Sequence, residues 1–125
     1  MNAFAMAKTA YSSAGRPTRT ARDVEFEAFA RITHRIKAAA AGGPVQFSSL
    51  AQALHDNRRL WTMLASDVSD KDNSLPPALR ARIFYLAEFT FKHTSKVLAR
   101  QASPDVLIDI NTAIMRGLRP AGVQG

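Results

Sequence analysis

Breakers divide this chain, and every piece between them carries a helical period. "SSAGRPT" (12–18) holds Gly15 and Pro17, "AGGP" (41–44) ends one apolar stretch, and "SDKDNSLPP" (69–77) runs from polar residues into two prolines. "SP" (103–104) opens the last stretch and "RPAGVQG" (119–125) closes the chain. Between these points apolar residues recur at three and four, the spacing of one helix face. No segment alternates apolar with polar residues as a half-buried strand does, and no tight hairpin turn joins two such segments. There is no internal repeat. The pattern predicts an all-α fold, a compact bundle of four to five helices around one core.

The first long helix is predicted over 21–41. Thr20 and Asp23 resemble a capping box with a shorter acid. Phe26, Phe29, Ile32 and Ile36 form its stripe, and Gly42 stands where a left-handed cap favours glycine. The second helix is predicted over 50–68, with Ser49 and Gln52 as a capping box. The third is predicted over 76–100, because prolines fit a first turn whose N–H groups have no intrahelical acceptor. The fourth is predicted over 104–116. Ser103 caps it, Asp105 complements its dipole and Gly117 terminates it. Phe4, Ala7 and Tyr11 also recur at helical spacing and predict a short helix near the N-terminus. Phe29, Ile32, Leu54, Trp61, Leu64, Leu79, Ile83, Leu86 and Ile110 are the expected core.

The stretch "NRRLWTML" (57–64) sets two arginines beside the only tryptophan. In sequence it reads as a basic-aromatic patch suited to nucleic acid. The helical wheel removes that reading. At about 100° per residue, Leu50, Leu54, Trp61, Leu64 and Val68 share one arc, with Arg59 opposite and Arg58 at the edge. Trp61 therefore faces the core or a groove. Asn57 lies in the middle of the same arc. A buried amide without partners costs about 1–3 kcal/mol, so Asn57 is either satisfied within the fold or meets a partner protein. Asp56 and Asp67 fall on the polar side, which suits solvation.

The third helix has more apolar surface than one core face requires. Tyr85 and Phe89 project away from its main face, beside Arg82, while Phe84, Ala87, Phe91 and Leu98 widen that face. On the fourth helix, Leu107, Ile110, Ile114 and Leu118 share one face, and Ile108 and Met115 lie together on another. Such second faces are either buried or offered for docking.

Composition narrows the class. At 125 residues the chain has the size of one domain, long enough to bury about two-thirds of its unfolded surface. It has no cysteine, which excludes disulfides and thiolate metal sites. No apolar run approaches the ~20 residues that span a bilayer, and the N-terminus lacks the apolar stretch of a secretory signal. A cytoplasmic protein without membrane insertion is expected. The net charge is +7, which raises the expectation of an anionic partner. Lys8, Arg16, Arg19 and Arg22 form a basic arm, but elsewhere acids and bases are interleaved. His34, His55 and His93 stand alone, without metal-ligand spacing. No base accompanies any serine, and "AGGP" is too short for a phosphate loop. No enzyme activity, metal or cofactor is expected.

Four stretches together resemble a known family. They are "NAFAMAKTAY" at the start, "LAQALHDNRRLWTMLASDV", "NSLPPALRARIFYLAEF" and, near the end, "LIDINTAIMRGL". Their order and spacing resemble the bacterial flagellar biosynthesis regulator family FlaF, over nearly all of residues 1–118. The family carries Asn-Ala-Tyr at its start, and Phe4 replaces that tyrosine here, keeping the aromatic ring without the hydroxyl. The resemblance implies a small all-helical factor, a single domain over 1–118 followed by a flexible tail over 119–125. It implies a role in flagellin synthesis and export, with flagellin as partner and the regulator FlbT as a second one. Flagellin's terminal amphipathic helices pack only in the filament, so before export they suit helix-in-groove recognition by an export chaperone or adaptor. Asn57 and Asn111, which fall within the matching stretches, join Tyr85, Phe89, Ile108 and Met115 as candidate partner contacts. The alternative is an RNA-binding regulator of the flagellin message that uses the basic arm. The interleaved charge and the lack of an RNA-recognition motif weigh against direct nucleic-acid binding.

Overall fold

A computed structural model describes residues 21–118 of the chain. The expected N-terminal helix, the Thr20–Asp23 capping box, the basic arm of Lys8, Arg16, Arg19 and Arg22, and the tail over 119–125 lie outside the described residues or their side chains. Four α-helices follow in order: α1 over Ala21–Ala41, α2 over Phe47–Ser69, α3 over Pro77–Leu98 and α4 over Asp105–Leu118. A 3-10 turn over Gly43–Gln46 links α1 to α2. Among the described residues there is no strand, and the fold is the expected all-α bundle.

The connections differ in detail from the sequence expectation. The left-handed residue after α1 is Gly43, at φ 72°, and not Gly42. Gly42 keeps a right-handed backbone at φ −79°, and a side chain there would run into Gln46. Pro44 is the second residue of the 3-10 turn, and the Phe47 N–H donates back to the Pro44 carbonyl. That turn feeds straight into α2, which begins three residues before the expected start and has no side-chain cap. Ser49 and Gln52 are therefore exposed positions within the helix and form no capping box. At the other end, Gly117 lies inside α4 and does not terminate it. Ser103 does serve the start of α4, accepting the Asp105 N–H at 3.1 Å.

The third helix stops at Leu98, short of the expected end, through a Schellman motif. The Gln101 N–H reaches the Lys96 carbonyl at 2.8 Å and the Arg100 N–H reaches the Val97 carbonyl at 2.9 Å. This motif places one residue in the left-handed region, usually glycine. Here it is Arg100, at φ 61°. An arginine gives no stop signal in sequence, which is why the periodic pattern overran the helix.

In the packing, α2 lies between α1 and α3, while α4 packs mainly on α1 and makes only slight contact with α3. Phe29, Ile36, Leu54, Trp61 and Leu107 are fully buried. Phe29 meets Trp61 edge to face, with centroids 5.7 Å apart, a favoured geometry for two aromatic quadrupoles. Leu86 and Ile110, expected in the core, are half-buried against it. Leu79 departs further and is 42% exposed. It lies in the first turn of α3, just beyond the loop, where little of α2 remains to cover it.

Candidate partner-binding site

The six candidate contact residues separate into three environments. Asn57 and Asn111 are fully buried and reach no surface. They meet in a polar node with Trp61 and Thr33. The indole N–H is a donor only, and it donates to Asn111 Oδ1 at 2.9 Å. That bond orients the Asn111 amide. Its Nδ2 then donates to Thr33 Oγ1 at 3.0 Å and to Asn57 Oδ1 at 2.8 Å. Asn57 Nδ2 has no hydrogen-bond partner among the described residues. One side chain of α4 is thereby joined to α1 and to two successive turns of α2. The docking role expected of Asn57 and Asn111 does not fit their position, since both are spent inside the fold.

Ile108 and Met115 are half-buried and pack against the core cluster. Their surface on α4 is thus partly used by the fold.

Tyr85 and Phe89 occupy the third environment. Residues four apart on a helix are neighbours, so Tyr85, Phe89 and His93 form one line down α3. The lower end of the line is fixed. The His93 ring stacks on Phe89 with centroids 5.5 Å apart, and His93 Nε2 lies 2.8 Å from the Ser103 carbonyl. The upper end is open, with Tyr85 65% exposed. Phe84, which the wheel assigned to a widened core face, is 42% exposed beside it. Together with Leu79, these residues concentrate exposed large apolar side chains on the N-terminal half of α3. Of these exposed residues the sequence placed only Tyr85 off the main face of α3, with half-buried Phe89 one turn on, and it assigned Phe84 and Leu79 to the core side. Their exposure follows from α3 having α2 as its main neighbour, which a wheel cannot reveal.

Electrostatics add one further correction. Asp67 is buried and not on a solvated face. Asp56 pairs with Arg35 of α1 at 2.8 Å, and Asp67 lies three turns beyond Asp56 on the same side of α2. Burial, with a smaller contribution from the nearby Asp70 charge, raises the Asp67 carboxyl from 3.8 to about 6. Its Oδ1 has no hydrogen-bond partner among the described residues. The backbone carbonyl of Asp67 does accept Asn73 Nδ2 at 3.1 Å, which ties the loop to the end of α2.

Among the described residues, no group of three or more His, Cys, Asp or Glu side chains could hold a metal ion. No helix among them is long and apolar enough to cross a membrane.

These features define a small all-helical protein with a latched interior and one helix rich in exposed aromatics. A family model described as flagellar protein FlaF matches residues 7–118, and the chain belongs to that family. No curated protein and no solved structure gave a match.

Proposed function

We propose that this FlaF-family protein binds the terminal amphipathic helices of flagellin before export. It acts as an export chaperone or adaptor and through that role regulates flagellin synthesis. Membership of a flagellar family supports the setting. The observation that carries the binding mode is the exposed set Leu79, Phe84 and Tyr85 on α3, continued by half-buried Phe89. Large aromatics exposed on a helix with one main packing neighbour suit an incoming apolar stripe. Ordering a flagellin segment on this face has an entropic cost, which favours moderate and reversible affinity. A carrier that must release its cargo works best in that range. FlbT is proposed as a second partner, and the cytoplasm as the place of action.

The test is a pull-down between purified protein and purified monomeric flagellin, with and without nuclease. Retention of flagellin after nuclease treatment supports the reading. Loss of binding with nuclease, together with a steep fall in binding as salt rises, would return RNA as the direct ligand, because phosphate contacts are salt-sensitive.

A further inference from the structure

The exposed aromatics of α3 have a basic neighbour. An open groove of about 550 Å³ lies between α2 and α3, lined by Arg58, Thr62, Phe91, Lys92 and Ser95. It has room for side chains of a bound partner. Phe84, Phe91 and Ser95 follow one another at seven and four residues, so they share one side of α3. The exposed Phe84 and the groove therefore belong to one surface. That surface is apolar towards the N-terminal end of α3 and cationic towards its C-terminal end.

Arg58 is the fixed member of the groove. It is half-buried on α2, and its Nη2 donates to the Phe91 carbonyl at 3.2 Å and to Ser95 Oγ at 3.0 Å. These two bonds hold the guanidinium across the seam between the helices. Both come from Nη2, and the guanidinium fork has three more N–H groups on Nη1 and Nε. A cation held in place before anything binds lowers the ordering cost of binding. Its surroundings share its sign. Within α3, Arg80, Arg82, Lys92 and Lys96 stand against Glu88 as the one acid, and Lys92 and Lys96 are exposed.

We infer that this groove is the carboxylate-binding end of the docking surface. It takes an Asp or Glu side chain of an amphipathic helix whose apolar stripe lies over Phe84 and Tyr85. The inference rests on the reading that α3 docks a partner helix. It adds that the helix is acidic on one flank, and it fixes which end of α3 that acid meets. Glu88 lies on the same side of α3, between Phe84 and Lys92 in sequence. A polyanion laid along this side would run its repeated charges past Glu88. A helix carries its charges singly, so it can set one carboxylate against Arg58 and Lys92 with its apolar residues about two turns away.

The experiment uses the full chain, nuclease-treated and isotope-labelled. The probes are purified monomeric flagellin and two synthetic helical peptides. Both peptides carry a pair of leucines four residues apart, and they differ in a Glu or a Gln two turns further on. The Glu peptide is expected to shift the amide signals of Tyr85 and Lys92 and the guanidinium signal of Arg58. It should bind about tenfold tighter than the Gln peptide. Arg58→Gln and Lys92→Gln should each reduce that preference. Lys92→Gln, at an exposed position, should do so with its melting temperature unchanged, and it should weaken flagellin binding and flatten its salt dependence. Equal binding of the two peptides, shifts that omit Arg58 and Lys92, or a preference that survives both substitutions would overturn the inference. Flagellin that binds both variants as tightly as the parent would also overturn it, while leaving flagellin as the cargo of α3. Discrimination between the peptides without any flagellin binding would do the reverse, upholding the groove's chemistry and removing flagellin as its partner. A short RNA that shifts the Arg58 and Lys92 signals where the Glu peptide does not would overturn the inference by making the occupant a nucleic acid.

Discussion

The node around Asn111 and the aromatic line of α3 place polar and aromatic side chains in opposite arrangements. In the node, polar side chains lie inside the bundle and are oriented by a donor-only indole. On α3, aromatic side chains lie outside and are oriented by little beyond their own helix. The difference is the number of neighbouring helices. The node is shared by α1, α2 and α4, whereas α3 packs chiefly on α2. Loss of a side chain should therefore be felt as stability in the first region and as binding in the second.

The largest effect is expected at Trp61. It is fully buried, and Trp61→Ala removes both its volume and the N–H that orients Asn111. Destabilisation of about 3–5 kcal/mol is expected, as for other large aromatic truncations, measured by chemical denaturation. A loss below about 1 kcal/mol would show that the node does not organise the core. Asn111→Ala should follow closely. It leaves the indole N–H, Thr33 and Asn57 without their shared partner, and one unsatisfied buried group alone costs about 1–3 kcal/mol. The same denaturation measurement checks it, and a neutral result would mean that α4 is held by its apolar contacts alone.

Asp67 gives a smaller effect of opposite sign. Its carboxyl is raised from 3.8 to about 6, so between those values the folded state holds more protons than the unfolded one. Stability must then fall as pH rises from about 4 to about 6, with the penalty fully present above 6. Asp67→Asn removes the charge and should stabilise the fold at neutral pH by about 2 kcal/mol. It should also flatten this part of the pH profile. Melting curves for both proteins across that range check the sign, and a variant that melts lower at neutral pH would show that the carboxylate has a favourable role.

The helices were legible in sequence where breakers flank a periodic stretch, as for α1, whose observed span Ala21–Ala41 matches the expectation. Boundaries failed where backbone geometry replaced a recognisable cap. The 3-10 turn advanced the start of α2, and Arg100 ended α3 in a position that glycine usually marks. Burial was legible for Trp61 and Asn57 because each lies at the centre of an apolar arc. It failed for Asp67 and Leu79, whose surroundings depend on where neighbouring helices begin and end. The same limit hid Phe84, which is apolar and periodic yet 42% exposed. Tyr85 and Phe89 were found because they leave the main face of their own helix, a property that needs no tertiary knowledge.

The central claim is that the open end of the α3 aromatic line contributes binding and not stability. The direct measurement is the affinity of the Phe84→Ser, Tyr85→Ser double variant for monomeric flagellin by titration calorimetry, paired with its thermal melting. Exposed positions of this kind usually change stability by no more than about 0.5 kcal/mol, so melting should be nearly unchanged. Affinity should fall at least about tenfold, as it does when aromatic anchors are truncated. A variant that melts normally and binds flagellin as tightly as the parent would contradict the account.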